Sequence, residues 1–205
     1  MKNIKTSQNI ENNILTLKFF SKLLVNIEHF IFFGTLLGLT RDNSPIEGDD
    51  DIDFYVNIND QEKIHQILKD NKIIVDYSLW PNDTKYFNQV EFILNNRKLR
   101  ADFYYYEKED NDFFITERWN FEAKYKLKEH ILKIPKVFIF PINKKKYKDF
   151  YVNYPNQPEV LCEYLYGSTW KSPLKKHEEY IIKVMGGKPY LFLKDKQNNT
   201  LKLLP

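Results

Sequence analysis

Cysteine is nearly missing from this chain. Cys162 stands alone, which excludes an intramolecular disulfide and any cysteine-built zinc centre, and fits a reducing compartment. Alanine is confined to Ala101 and Ala123, so a core must be assembled from larger side chains. The 16 Phe, 14 Tyr and 3 Trp can supply it, and the same rings could serve a sugar- or base-stacking surface. Arginine is limited to Arg41, Arg97, Arg100 and Arg118, and 31 Lys+Arg against 28 Asp+Glu leave a net charge of only +3. That is not the balance of a dedicated nucleic-acid binder, so no nucleic-acid partner is expected. Long apolar runs are absent too: the window Phe30 to Leu39 falls far short of the ~20 residues of a membrane span, and Met1 to Glu11 lacks a signal-peptide core. A cytoplasmic location with no transmembrane segment follows as the expectation. What is present, 205 residues of which 42% are hydrophobic and 29% charged, suffices for a single domain over 1–205 held together by packing.

Apolar periodicity organises the chain. Ile10, Ile14, Leu17, Phe20, Leu24 and Ile27 recur at helical spacing behind Ser7, predicting an amphipathic helix from about 8 to 28. Phe30 to Phe33 reads as a strand, Gly34-Thr35 as a tight turn, and Leu36 to Thr40 as a helical turn. After a polar loop from Arg41 to Asp50, Ile52 to Val56 is a second strand, and Asp60 caps a helix through about Leu68. Ile73 to Tyr77 is a further strand, while Val90 to Leu94 and Leu99 to Tyr105 flank Asn95-Asn96 as an antiparallel hairpin. A short strand is expected over Val137 to Phe140, and helices over Lys144 to Tyr151, Glu159 to Tyr166 and Lys175 to Met185, broken by Gly186-Gly187 before an aromatic tail. The expected class is α+β: a mixed β-sheet flanked by helices, core 30–105, with a more helical C-terminal third over 140–205.

The chemistry concentrates in Asp49-Asp50-Asp51-Ile52-Asp53, four carboxylates in five positions at the mouth of a strand. Strand neighbours i and i+2 share a face at roughly 6.5 to 7 Å, so Asp51 and Asp53 project together while Ile52 enters the core. Such a pair suits a hard divalent cation, Mg²⁺ above all, that takes substrate phosphate oxygens as further ligands. The same run also fits a solvated acidic loop, and Asp51-Ile52-Asp53 matches the metal-binding motif of nucleotide-sugar glycosyltransferases. A calcium loop is excluded, since Phe54 and Asp60 occupy the positions that require Gly and Glu.

Upstream, Gly34-Thr35 follows a strand and opens a helix, where backbone can approach a ligand closely and helical N–H groups attract phosphate. Arg41 can grip phosphate bidentately. Two-metal phosphoryl transfer wants a third carboxylate near the nucleophile, and Asp102, on the apolar strand Leu99 to Tyr105, is the candidate; its alternative is a salt bridge to Arg100 or Arg97.

Gly34-Thr35-Leu36-Leu37-Gly38-Leu39-Thr40-Arg41 followed by Asp49 to Asp53 resembles the signature of the LicD family, which includes bacterial phosphocholine transferases and fukutin-related ribitol-phosphate transferases. Pro141 and Glu163-Tyr164-Leu165-Tyr166-Gly167-x-x-Trp170-x-x-Pro173 are similar to its closing block. The resemblance implies a nucleotidyltransferase fold in which Gly34, Thr35 and Arg41 meet donor phosphate while Asp51, Asp53 and Asp102 bind Mg²⁺, as one ion or two, with Mn²⁺ as the substitute. It implies transfer of a phosphate-linked alcohol of phosphocholine, ribitol phosphate or glycerol phosphate type, from a CDP-linked donor to the hydroxyl of a glycan or lipid-linked glycan. Asp102 would also orient or deprotonate that hydroxyl, and Asp49 would stand behind the ligands. Gly48 departs from the family, which commonly has Trp there, as does Glu47 in place of Pro.

Two rival readings remain at the level of sequence: a metal-dependent nucleotide-sugar glycosyltransferase, disfavoured because only some fifty residues precede its motif, and a non-catalytic nucleotide or metal sensor. Lys144-Lys145-Lys146-Tyr147-Lys148 could lean weakly on anionic lipid or form a solvated helix face. Trp80, Trp119 and Tyr104-Tyr105-Tyr106 offer stacking surfaces. His177 reads as exposed and Cys162 as packing.

Overall fold

The computed structural model describes residues 2–75, 85–108, 113–119 and 130–204. Trp80 and the Trp119 side chain lie outside the described residues, as does the end of the strand expected over Ile73 to Tyr77. Helix α1 (Lys2–Leu23) begins and ends earlier than the 8 to 28 that its apolar spacing suggests; its Leu17 and Phe20, and Leu24 just past its end, are fully enclosed. It lies across a sheet of seven strands: β1 (His29–Ile31), β2 (Asp53–Asn57), β3 (Ile74–Val75), β4 (Phe87–Leu94), β5 (Arg97–Lys108), β6 (Phe114–Trp119) and β7 (His130–Pro135). The order is β1-β2-β5-β4-β3, with β6 pairing the far end of β5 and β7 pairing β6. Only β2 and β5 run parallel, so the sheet is mixed.

Alternation along the strands sorts the two faces. Phe54, Phe92 and Phe103 turn toward α1, where Phe20 meets them edge-on at ring separations of 5.8, 5.4 and 5.2 Å. Asp53, Tyr55, Asp102, Tyr104 and Tyr106 therefore turn to the opposite face, covered by α2 (Phe33–Arg41) and α5 (Pro158–Tyr166). The Asn95-Asn96 turn joining β4 to β5 has φ of 53° and 60°, the left-handed pair of a tight hairpin. Helix α3 (Gln61–Asp70) buries Ile64 and Leu68, and the short α4 (Lys136–Ile139) replaces the strand expected over Val137 to Phe140.

The α+β expectation with a helical C-terminal third is overturned. Strand outweighs helix, and beyond residue 140 α5 is the only helix among the described residues. The helix expected over Lys144 to Tyr151 is a hairpin, β8 (Asn143–Tyr147) and β9 (Phe150–Tyr154), because Tyr147, Phe150, Val152 and Tyr154 are buried at strand spacing and Lys148 takes the turn at φ 52°. The helix expected over Lys175 to Met185 is β10 (Glu178–Met185), which continues through β11 (Lys188–Asp195) and β12 (Thr200–Leu203) as an antiparallel sheet. Gly186 and Gly187, at φ 58° and 80°, are its hairpin turn rather than a helix stop. Expected helix Glu159 to Tyr166 is α5, with Pro158 in its first turn.

His29, at the start of β1, is 2% exposed, and its Nδ1 lies 2.9 Å from the Ile27 carbonyl oxygen. Burial pushes its imidazole below the ordinary value of 6.5, with the charge of Lys144 acting the same way. The folded state thus resists a proton that the unfolded chain accepts, so the stabilisation is full above about pH 6.5 and is lost as pH falls below it. We expect the melting temperature to drop over that acid range, and His29→Gln to flatten the drop, measured by thermal unfolding at a series of pH values.

Candidate active site

The acidic run enters the sheet where three elements meet. After β1, Phe32 is extended and Phe33 takes φ 38°, turning the chain sharply into α2. A Cβ built on Gly34 would come 2.9 Å from Asp49 Oδ2 and 3.4 Å from Asp53 Oδ2, so the carboxylates press against bare backbone there. One turn on, a Cβ on Gly38 would meet the Ser44 oxygen at 2.7 Å and the Ile46 nitrogen at 2.9 Å, so this glycine lets the loop leading to the aspartates pack against α2. Gly48, where the family commonly has Trp, sits at φ 89°, a backbone conformation that side-chain-bearing residues hold with strain.

Thr35 is bound to Asp53. Its hydroxyl accepts the Asp53 N–H at 2.8 Å, and its own N–H donates to Asp53 Oδ2 at 3.2 Å. Asp53 and Asp102 are direct partners in the parallel register of β2 and β5, and the Asp102 N–H donates to the Ile52 oxygen at 2.8 Å. Gln89, opposite Asp102 on β4, donates its Nε2 to Asp102 Oδ1 at 2.8 Å. Asp51 precedes β2 instead of lying within it, so it reaches the pair from the loop and not by strand alternation. Asp49 is bonded to Asp51, and Asn13 of α1 donates to the Asp49 carbonyl oxygen at 3.0 Å.

These carboxylates oppose one another. Burial, then the charge of Asp51, pushes Asp49 up to about 7. Asp51 is raised by burial and by Asp50. Asp53 and Asp102 are raised well above the usual carboxylate range, by burial and then by Asp51. Asp49, Asp50 and Asp51 also present ligand oxygens within 4.8 Å of one another. A hard cation relieves such crowding directly, and an all-oxygen donor set is what Mg²⁺ takes, so the residues fit the ion.

Arg41 is not joined to this cluster: at the far end of α2, its Nε and Nη2 grip Asp42 at 3.0 and 2.7 Å. The guanidinium beside the aspartates belongs to Arg100, with Nη1 2.8 Å from Asp50 Oδ2 and Nη2 2.6 Å from Glu91. The sequence alone does not single out Arg100 or Gln89, although Arg100 lies two positions before Asp102 on β5; Gln89 becomes its neighbour only through the register of β4 with β5. Tyr104, Tyr105 and Tyr106 are core, not a stacking surface, with Tyr106 donating to Glu28 at 2.6 Å. Tyr166 of the closing block is buried on the Asp53 side of the sheet, where the charges of Asp53 and Asp49 help raise its hydroxyl. Burial pushes the Cys162 thiol up to about 12, in keeping with a packing role. His177 is partly exposed, 3.7 Å from Asp195.

Removing the Gln89 amide frees Asp102 to rotate. We expect Gln89→Ala to cost about 10- to 100-fold in divalent-cation affinity, read by calorimetric titration with Mg²⁺ or Mn²⁺.

The acidic centre, able to take a hard cation, thus lies against a strand–turn–helix. The chain belongs to the LicD/FKTN/FKRP family, whose nucleotidyltransferase domain matches residues 26–157, β1 through β9. Membership makes it a phosphotransferase-type enzyme of glycan modification, in a family generally dependent on metal, and points to a nucleotide-linked donor and a glycan acceptor. The Glu163 to Pro173 block lies beyond the match. No curated protein matches the chain. Among solved structures it is similar to the lincomycin-bound lincosamide antibiotic adenylyltransferase LnuA, at 14% identity over 74% of this chain and 82% of that one, with a TM-score of 0.46. No helix among the described residues is long and apolar enough to cross a membrane.

Proposed function

We propose that the protein is a Mg²⁺-dependent phosphotransferase that moves a phosphate-linked alcohol, of phosphocholine, ribitol phosphate or glycerol phosphate type, from a CDP-linked donor to a hydroxyl of a glycan or lipid-linked glycan. The observation that carries this reading is the registered Asp53–Asp102 pair, crowded by Asp49 and Asp51 on a buried sheet face. Asp51, Asp53 and Asp102 would hold Mg²⁺, with Asp49 beside them. The ion, when bound, would supply positive charge to the donor phosphates and to the leaving CMP.

The chain's own groups do the rest. Gly34 lets the Asp49 and Asp53 carboxylates close against bare backbone, and Arg100, close by, adds positive charge by loosening from exposed Asp50. Gln89 holds Asp102 Oδ1, which leaves Oδ2 to accept the acceptor hydroxyl's proton. The freed oxygen forms the new P–O bond as the bond to CMP breaks, so the nucleotide product is CMP. Arg41, engaged by Asp42, has no part in this scheme. The test is a panel of CDP-alcohols and UDP-sugars with Mg²⁺ and a glycan acceptor: CMP release supports the reading, and release of UDP from a UDP-sugar moves it to a glycosyltransferase.

A further inference from the structure

The end of α1 and the β8–β9 hairpin enclose an open groove of about 410 Å³, apart from the acidic centre. Asn13 touches Asp49, whereas Ser21 and Lys22 line the groove some eight residues further along α1, about 12 Å at 1.5 Å per residue. The hairpin register puts Lys144 opposite Asn153 and Lys146 opposite Tyr151, so these four share its outward face while Phe150, Val152 and Tyr154 turn into the core. Lys22 of α1 and Val25, just past its end, line the same groove.

Two features of this surface belong together. Lys22 and Lys144 line it, Lys146 shares the hairpin face of Lys144, and its one lining carboxylate, Asp149, is already paired with Lys18. Val25 and Tyr151 project at its rim, 61% and 60% exposed. A small soluble anion would make no use of those two side chains. A charged interface with apolar material beneath it uses both, since tyrosine seats its ring among headgroups while lysines reach phosphate.

We propose that this face docks the protein on an anionic phospholipid surface, with a lipid phosphate held between Lys22 and Lys144 and with Val25 and Tyr151 seated among the headgroups. The inference is independent of the reading of the acidic centre, because it concerns attachment and not turnover.

The test is co-sedimentation of the full chain with phosphatidylcholine vesicles, with and without about one-third phosphatidylglycerol. Retention is expected on the anionic vesicles alone and should weaken with salt. Each lysine near a charged surface is worth about fivefold, so Lys144→Gln with Lys146→Gln should lower partitioning about 25-fold. Tyr151→Ser should lower it several-fold while leaving the salt dependence unchanged. The same charge removed at a distance, Lys188→Gln with Lys202→Gln, should change little. Equal binding to neutral vesicles, or an equal effect of the distant pair, overturns the proposal. So does binding to a single-stranded oligonucleotide that needs Lys144 and Lys146 but ignores Tyr151, which would reassign the face to nucleic acid.

Discussion

Asp53→Asn and Asp102→Asn are each expected to lower transfer on the order of 10³-fold or more, yet to melt at a higher temperature than the parent protein in metal-free buffer. Both effects come from one arrangement. Asp53 and Asp102 sit side by side on neighbouring strands, 6% and 5% exposed, with Asp51 as the charge that most raises each after burial itself. An amide removes one member of this repelling set. It keeps shape and an acceptor oxygen, which at position 53 can still receive the Thr35 N–H. The relief should be roughly 1 kcal/mol or more, about 2–4 °C for a chain of this size. Added Mg²⁺ should reverse the ranking, because a ligand at about 100 times its Kd stabilises the parent by about 2.7 kcal/mol and the variants by much less. Thermal scans with and without Mg²⁺, beside a CMP-release assay, check the pair of effects. Near-parental activity in both variants, or melting temperatures that ignore the ion, would place the metal elsewhere.

The acidic centre was legible because charge is costly in the middle of apolar strands. Asp102 within Leu99 to Tyr105, and Asp53 after Ile52, announce themselves by that contrast, and the register of β2 with β5 makes them neighbours. The place of Asp49 was not legible, because position before a strand gives no measure of distance. Its carboxylate in fact returns to Gly34 through a loop packed under Gly38. The partner of Arg41 was not legible for a similar reason: the helical rise carries it to the far end of α2, where it grips Asp42. The C-terminal third was misread by period. Glu178 to Met185 is apolar on both faces at Tyr180, Ile181, Ile182 and Val184, and such a run satisfies helix and strand templates alike. The Lys144 to Lys148 run hid a two-residue alternation, visible only when Tyr147 is read with Phe150 and Val152 across the turn at Lys148.

Gly34→Val is the other large effect, and it separates a site built on close approach from a turn that merely tolerates glycine. A Cβ here would lie 2.9 Å from Asp49 Oδ2 and 3.4 Å from Asp53 Oδ2. The first contact is closer than real Cβ atoms come, and the second leaves little slack. The clash falls on the ends of side chains rather than on backbone, so the fold can survive by turning Asp49 outward. Asp53 cannot follow as easily, since the Thr35 N–H donates to its Oδ2 at 3.2 Å while the Thr35 hydroxyl accepts its backbone N–H at 2.8 Å. The two Val methyls would then hold the carboxylates away from the backbone they close against. Displacing these ligands should cost at least about 10²-fold in kcat/KM, and Gly34→Ala a smaller part of it. Cation affinity should fall in the same order, Gly34 above Ala above Val, while the melting temperature in metal-free buffer changes by only a few degrees. A Gly34→Val protein that melts normally and keeps both its Mg²⁺ affinity and its turnover would show that the turn serves packing alone.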